Sequence, residues 1–304
     1  MELTEIIAEL EYIRGSKFPH LAVKEAISQK EAITPLLLKA LEDTKTNLEE
    51  LHKQPDYFLH LYAMFLLAQF RETKAYPLLY ELYSTPGEAV YDITGDILTE
   101  DFGRILASVS GGDVSLIKQL IEGEDVHETV RSSGMTAMLT LVAQGDLSRE
   151  SVLNYFQELL AEIEEEDSAF ASMLVINSLE LYPNEAIIPI IRNAYEKDIV
   201  DVMWSDVDDL EQTLKEGLEK TLAHLQQGHN YQYVTDVDKE MSWWHCFQEE
   251  TPRRTRTAPA LTRLVPKLDA ELTVDPKKDA AKRKQKRKAQ KQARKKNRSK
   301  KKKK

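Results

Sequence analysis

The 304-residue chain is about twice the length of a typical domain. Its 42% hydrophobic and 30% charged residues can bury a sizeable core, which excludes collagen-like proteins and chains that are disordered throughout. The single cysteine, Cys246, excludes an internal disulfide framework and favours a reducing compartment. No secretory signal is visible, and the longest apolar run, 57–70, is too short and too polar to span a bilayer. We therefore expect a cytoplasmic protein without membrane insertion.

The net charge of −10 is the sum of two parts with opposite signs. Residues 1–276 hold 23 basic and 50 acidic side chains, a net charge of −27. Residues 277–304 hold 18 basic side chains and one acidic one, a net charge of +17. Such a division indicates an appended arm for polyanions.

A proline or serine followed by two aliphatic residues recurs along the chain. The pattern begins at Pro35, Pro77, Ser115, Ser151 and Pro189, at spacings of 36 to 42 residues. This is close to the period of about 40 residues in HEAT-type repeats, in which each repeat is a pair of antiparallel helices. Because Pro and Ser suit the first turn of a helix, we expect each of these residues to begin the second helix of a pair.

Apolar stretches upstream of four of these positions predict the first helices. They span 57–70, 96–109, 130–144 and 169–181. Helices at 3–14 and 20–29 are expected to cap the N-terminal end, since a solenoid needs an atypical end repeat. One amphipathic helix over 206–227 is expected to close the other end. No strand-like alternation is sustained, so the sequence predicts an all-α fold, a HEAT-like, right-handed α-solenoid of about five helix pairs.

Composition divides the chain into four segments. We expect a helical repeat domain over 1–228 and an aromatic C-terminal cap over 229–250. Pro, Thr and Arg predominate over 251–276, which is typical of an extended linker. A polybasic tail follows over 277–304, and we expect it to be disordered in the free protein because its like charges repel each other.

Catalytic and metal-binding motifs are incomplete wherever they begin. His127-Glu128 opens like a zinc-protease motif, but Arg131 stands where the second histidine is required. The segment 206–209 lacks the glycine of a calcium loop, and 110–113 lacks the Gly-Lys-Ser/Thr ending of a phosphate loop. We therefore predict no catalytic, metal-binding or cofactor-binding residue.

One loose cluster of chemically capable side chains remains near the C-terminal end of the helical part. It comprises His224, His229, His245 and Cys246, whose spacings match no zinc pattern. An enzyme or lyase-like protein with a groove beside this cluster is the alternative to a non-enzymatic function.

Aromatic residues concentrate in the same region. Trp243, Trp244, His245 and Phe247 predict a plug over the end of the solenoid, because an exposed double tryptophan is unusual on a monomer. The alternative is a partner-binding hot spot.

The tail is predicted to bind polyanions through backbone phosphates. It has no aromatic residue for base stacking, so binding should be nonspecific. An anionic membrane surface is a second target, but no lipidation motif supports it. The predicted contact residues are Lys282, Arg283, Lys284, Lys286, Arg287, Lys288, Lys291, Arg294, Lys295, Lys296 and Arg298.

Several short motifs together resemble a known bacterial family. They are Pro19, Pro35-Leu36-Leu37, Phe70-Arg71-Glu72, Pro77-Leu78-Leu79, Gly95-Asp96, Arg104-Ile105-Leu106-Ala107, Leu141-Val142-Ala143-Gln144-Gly145 and Glu240-Met241-Ser242-Trp243-Trp244. Over about residues 1–250 the chain resembles the domain of unknown function 1186 family. The resemblance implies HEAT-like helical repeats and no assigned activity. Some relatives end in a cysteine-rich SEC-C zinc module, whereas here no cysteine follows Cys246 and the polybasic tail takes that place.

The sequence thus predicts a non-enzymatic interaction scaffold. The helical body would bind an unknown protein partner, and the tail would tether the complex to RNA, ribosomes or another polyanion.

Overall fold

The computed structural model describes residues 1–15, 17–163 and 167–248. The chain divides into two units, Met1–Glu250 and Thr251–Lys304, and the second lies outside the described residues. The predicted linker and polybasic tail fall there. In the described ranges the helices are α1 (Leu3–Glu11), α2 (His20–Ser28), α3 (Lys30–Thr46), α4 (Leu48–Leu51), α5 (Leu59–Phe70), α6 (Ala75–Tyr83), α7 (Ala89–Thr94), α8 (Ile97–Glu100), α9 (Phe102–Ser110), α10 (Ser115–Glu122), α11 (Glu128–Ala143), α12 (Arg149–Glu162), α13 (Ser168–Glu180), α14 (Ile188–Glu196), α15 (Val207–Glu216), α16 (Leu218–Gln227) and α17 (Val237–Met241), with 3-10 turns at His229–Tyr231 and His245–Phe247.

The predicted all-α fold class is confirmed. The described ranges hold no β-strand, and their one isolated bridge joins Tyr12 to Tyr57. This bridge explains why α1 ends at Glu11, earlier than predicted, because Tyr12 adopts an extended backbone to pair with Tyr57. Within these ranges no helix combines the length and apolarity that crossing a bilayer requires.

Two helices differ from the prediction because one residue leaves the helical conformation. The predicted helix over 96–109 is divided into α8 and α9 at Asp101, whose carboxylate accepts a hydrogen bond from Arg104. The predicted closing helix over 206–227 is divided at Gly217, where φ is +86°. Glycine adopts this left-handed conformation without the steric cost that a side chain imposes, so the chain turns there.

The recurring Pro/Ser positions all lie in helices, namely α3, α6, α10, α12 and α14. Only Ser115 is the first residue of its helix; Pro35 lies inside α3, which begins at Lys30. The prediction is confirmed for four of these residues, which lie within the first three positions of their helices, and is wrong for Pro35, because a long helix can tolerate the one backbone hydrogen bond that proline removes.

Successive helices pack side by side along the chain. Helix α5 packs against α3 and α9, α9 against α11, and α11 against α13, while α3 packs against α6 and α6 against α10. Leu79 of α6 and Ile191 of α14 are both fully buried. The description of this arrangement as a HEAT-like solenoid stays a prediction.

Helix α5 lies at the centre of the core. Every residue from Leu59 to Phe70 except Gln69 is buried, including the polar His60. A helix that is apolar on all sides needs neighbours on all sides. Helices α1, α3, α9 and α17 supply them, so the apolar run that marks this helix in the sequence also explains its position.

A glycine sets the close approach of α9 and α11. A Cβ atom on Gly103 would lie 2.7 Å from the Cβ of Thr136 and 2.8 Å from the carbonyl oxygen of Ser133. Only a residue without a side chain fits at these distances. The contact fixes the position of the next residue of α9, Arg104, whose side chain reaches the C-terminal part of the chain.

Residues 228–248, here called the C-terminal strap, run back across the helices. Gln144, directly after α11, donates to the carbonyl oxygen of Tyr231, and the backbone N–H of Val234 donates to the hydroxyl of Ser108 on α9 at 3.1 Å. Further along, the N–H of Val237 donates to the side-chain oxygen of Gln69 on α5 at 2.8 Å. The strap therefore contacts the end of α11, then α9 and then α5.

The aromatic end of the strap reaches the N-terminal helices. Phe247 packs edge-on against Phe18 with ring centroids 5.2 Å apart, and Trp244 packs against Phe65 at 5.6 Å. The sequence predicted a plug over the C-terminal end of the helices. The structure instead places these aromatic rings on α5 and on the residues before α2, because the strap doubles back along the molecule.

Candidate functional site

The four side chains of the predicted His/Cys cluster lie in different places. His224 is on α16, His229 is at the start of the strap, and exposed His245 and half-buried Cys246 are near its end. Cys246 lies beside Tyr62. Burial of the Tyr62 phenol raises its pKa, and the neighbouring thiol of Cys246 raises it further. In the part of the chain that the structure describes, the metal-capable group with ligand atoms within 4.8 Å of one another is instead Asp101, His229 and Glu240.

Arg104 stands at the centre of this group. Its Nη1 donates to Asp101 Oδ1 at 2.7 Å and to Glu240 Oε2 at 3.0 Å, and its Nη2 donates to Glu240 Oε1 at 2.6 Å. Its Nε donates to the carbonyl oxygen of Gln232 at 2.8 Å, and Nη1 lies 3.2 Å from His229 Nε2. The guanidinium thus binds Glu240 with two parallel hydrogen bonds, the geometry that gives arginine–carboxylate pairs their strength.

Burial determines the electrostatics of this cluster. The Arg104 side chain is 1% exposed, and the side chains of Asp101 and Glu240 are 12% and 11% exposed. Burial by itself lowers the pKa of Arg104, but Glu240 and Asp101 outweigh it, so the pKa is raised and the cation is stable. Burial also raises the pKa of Asp101, and the positive charge of Arg104 opposes that rise.

The Asp101, His229 and Glu240 group does not fit a metal ion while Arg104 is present. Nη1 lies within hydrogen-bonding distance of a ligand atom from all three side chains, so it occupies the space where an ion would have to be. Its charge would also repel a second cation at this short range. What the cluster can do is hold the strap on α9, because Glu240, Gln232 and His229 all belong to the strap.

Sequence reasoning missed this cluster. The spacing of Asp101 and Arg104, three residues apart, is a local signal for an ion pair on one helical turn. Glu240 is 136 residues from Arg104 and carries no signal that connects the two.

A second feature is an exposed apolar surface in the loop before α15. Val202, Met203 and Trp204 are 46%, 60% and 52% exposed, and Val207 at the start of α15 is 43% exposed. We call residues 202–204 the Trp204 surface. No sequence motif marks this surface. Its only local signal is three large apolar residues between Asp201 and Ser205, outside any helical periodicity.

Of the four aromatic-cluster residues predicted as a cap or a partner surface, two are packed against the protein and two are exposed to solvent. Phe247 is buried and Trp244 is half-buried against α5, whereas Trp243 is 62% exposed and His245 is exposed. The first pair stabilises the strap, and the second pair remains accessible to a partner.

A buried histidine lies apart from both features. His60 on α5 stacks on Tyr57 with ring centroids 5.4 Å apart, and its Nε2 donates to the carbonyl oxygen of Ile93 at 2.8 Å. Its Nδ1 is buried with no hydrogen-bond partner among the described residues. Burial lowers the pKa of His60 to about 4, because the charged form of the ring would lose the solvation that water provides.

The depressed pKa of His60 predicts a loss of stability in acid. The unfolded chain takes up this proton near pH 6.5, so His60 contributes fully above pH 6.5 and loses its contribution as the pH falls towards 4. We expect about 3 kcal/mol of unfolding free energy to be lost over this window through His60 alone. His60→Gln keeps a donor for Ile93 and does not titrate, so urea denaturation between pH 4 and 7 should show a shallower decline in this variant.

The matched control for this prediction is His52→Gln. His52 is 39% exposed and lies 3.3 Å from the carboxylate of Asp92, so its replacement should cost less than about 1 kcal/mol and leaves His60 in place. If the pH profiles of His60→Gln and the wild type were parallel, His60 would not be the titrating group.

Comparison with known proteins adds the family. Residues 1–248 match the family described as "Protein of unknown function (DUF1186)". The chain belongs to this family. A DUF1186 relative from Chlamydia trachomatis serovar D is 37% identical over 246 residues, which covers 80% of this chain and 96% of the relative. One from Chlamydia muridarum is also 37% identical over 246 residues and is covered to 97%. Both are uncharacterized, and no solved structure matches the chain.

The family match includes the strap. It ends at residue 248 and leaves 249–304 outside. The expected family resemblance is confirmed for the helical body. The family contributes no activity and no site residue to this chain.

Proposed function

We propose that the protein is a non-enzymatic interaction scaffold. Its helical body binds a protein partner, and its basic tail binds RNA or another polyanion in the cytoplasm. The observation that supports the first part is the Trp204 surface. The predicted partner is a protein because large apolar side chains presented together on a surface are typical of protein interfaces.

The Trp204 surface has the composition of an interface. Tryptophan dominates interface hot spots, and methionine adapts its shape to irregular partners. Trp204 and Met203 are more than half exposed, although the chain buries most of its large apolar side chains in one core. Covering these side chains with a partner would remove apolar area from water, which favours association.

The enzyme alternative depended on a groove shared by His224, His229, His245 and Cys246. These side chains lie on α16 and at opposite ends of the strap. The cluster that does form contains Arg104 between two carboxylates, and its buried geometry suits adhesion of the strap better than turnover of a substrate. Both observations support a scaffold over an enzyme.

The second part of the proposal rests on the sequence of the tail. Residues 277–304 hold 18 basic side chains, which can neutralise phosphates and release their counterions. An aromatic-free basic segment has no means of stacking on bases, so we propose that it follows the phosphate backbone without sequence preference.

Affinity capture from cell extract, with and without nuclease, tests both parts. Met203→Ser/Trp204→Ser should lose a nuclease-resistant protein partner and keep the nuclease-sensitive material. Truncation after Pro276 should give the reverse pattern. Because Met203 and Trp204 are exposed, their replacement should change stability by no more than about 0.5 kcal/mol.

Trp243→Ser is the matched control for the body, since Trp243 is even more exposed than Trp204. We expect it to keep the partner. If Trp243→Ser lost the partner and the Trp204 double variant kept it, the binding surface would be the one predicted around Trp243. Loss of all captured protein on nuclease treatment would refute the scaffold.

A further inference from the structure

A groove opens beside the Trp204 surface, between α13 and the pair α15 and α16. Its volume is about 350 Å³. Ile176 and Leu179 of α13 contribute apolar lining, Trp204 lies at one side, and Glu216 and His224 come from α15 and α16. The groove is large enough for one long side chain together with its neighbours.

The charges in this groove are mostly negative. Glu180, Asp209 and Glu216 line it, and His224 is the one basic side chain among its lining residues. Asp209 already accepts the backbone N–H of Asp206, and Glu216 lies 3.3 Å from the ammonium of Lys220. Glu180 makes no ion pair within 4 Å among the described residues, although solvent reaches the residue. Burial raises the pKa of Glu180 and the neighbouring His224 opposes that rise, so Glu180 is a lining carboxylate without a close ion pair whose negative charge a further cation would stabilise.

The chemistry of the lining selects the partner. A cation beside an exposed indole ring gains a cation–π interaction. Guanidinium is planar, stacks on tryptophan and binds a carboxylate with two donors, whereas ammonium is a compact and strongly hydrated charge. Val202 and Met203 lie next to Trp204, so residues flanking the cation would meet an apolar surface.

We propose that the groove binds an arginine side chain presented by a basic amphipathic segment of the protein partner. This deepens the scaffold function proposed above and rests on it. The guanidinium pairs with Glu180 and stacks on Trp204, and apolar residues on either side of the arginine cover Val202 and Met203.

Selection of peptides identifies the chemistry without knowledge of the partner. A displayed library of random 12-residue peptides is selected against the full-length protein, with excess polyuridylate present to occupy the tail. We expect the enriched peptides to contain an arginine flanked by apolar residues. A synthetic enriched peptide then serves as the probe for affinity measurements.

Charge removal from either side tests the pairing. Replacing the probe's arginine by neutral citrulline should weaken binding about ten- to hundred-fold, and Glu180→Gln should weaken binding of the arginine probe by a similar factor. The citrulline probe should be insensitive to Glu180→Gln, because the two groups act as one pair. An arginine-to-lysine probe should bind more weakly than the arginine probe.

Glu219→Gln is the matched control, because Glu219 is exposed on α16 and does not line the groove. It should change affinity less than two-fold. Equal losses of affinity in Glu180→Gln and Glu219→Gln would show that the probe is held by long-range electrostatic attraction. That result would overturn the groove as the binding site. Equal binding of the lysine probe would overturn the assignment of arginine.

The outcomes also separate this inference from the scaffold itself. Peptides that need Met203 and Trp204 but carry no arginine would leave the scaffold standing and overturn the arginine site. Peptides that are indifferent to the Met203→Ser/Trp204→Ser variant and to Glu180→Gln would contradict both. A selection without any peptide sensitive to Glu180→Gln likewise overturns the arginine site.

Discussion

Arg104→Met is expected to destabilise the protein by about 3 to 5 kcal/mol, the cost of breaking a buried ion pair from one side. The substitution leaves the carboxylates of Asp101 and Glu240 almost fully buried without their shared cation. It also removes the donor to Gln232 and so releases the start of the strap. Urea denaturation at neutral pH measures this loss directly.

Arg192→Met is the control for Arg104→Met. Its ion pair with Glu211 joins side chains that are 42% and 53% exposed, so it should cost less than about 1 kcal/mol. Similar losses in both variants would show that Arg104 acts as an ordinary surface arginine.

Glu240→Gln separates the contribution of the cluster's charges to stability from the contribution of its packing. Once Arg104 is replaced, the buried charge of Glu240 becomes a cost. The double variant Arg104→Met/Glu240→Gln should therefore be more stable than the two single losses added together predict, with a coupling of about 1 to 3 kcal/mol. Amide hydrogen exchange at Val234 and Val237, whose N–H groups donate to Ser108 and Gln69, should accelerate in Arg104→Met if the strap detaches.

The affinity of the tail for single-stranded RNA is expected to fall by about ten-thousand-fold between 50 and 200 mM salt. This estimate assumes that about ten of the 18 basic side chains contact phosphates, which gives a slope of about −7 for log affinity against log salt. Binding of a labelled uridine oligonucleotide over a salt series measures the slope. Truncation after Pro276 should abolish binding.

A scrambled tail of the same composition is the control for this second prediction. It should bind as tightly as the natural tail, because contacts to the phosphate backbone carry no sequence information. A slope near zero, or RNA affinity that survives the truncation, would contradict the polyanion role. Retained binding after truncation would assign the RNA to residues 1–276.

The helices were predictable from the sequence because their signals are local. The apolar runs at 57–70, 130–144 and 169–181 correspond to α5, α11 and α13 within one or two residues at each end. Apolar residues that recur at helical spacing bury one face, whatever the rest of the chain does. The absence of sustained alternation likewise predicted the lack of strands in the described ranges.

Some local details were missed although the sequence carried them. The apolar periodicity of 206–227 continues across Gly217, but the positive φ of this glycine divides the predicted closing helix in two. Pro35 was expected to begin a helix and instead lies within α3. At Gly217 the backbone preference of one residue outweighs the periodic pattern, whereas at Pro35 the helical pattern outweighs the preference of proline for a helix start.

The sequence by itself determined which segments are helical, how the charge divides between body and tail, and which family the body resembles. Only the tertiary structure decided that Arg104 meets Glu240, that the strap returns to the N-terminal helices, and that Trp204 is exposed while Trp244 is packed against Phe65. The physical reason is the range of the interactions. Helix formation depends on neighbours three or four residues away. The burial of a side chain depends also on residues that can be more than a hundred positions away in the sequence.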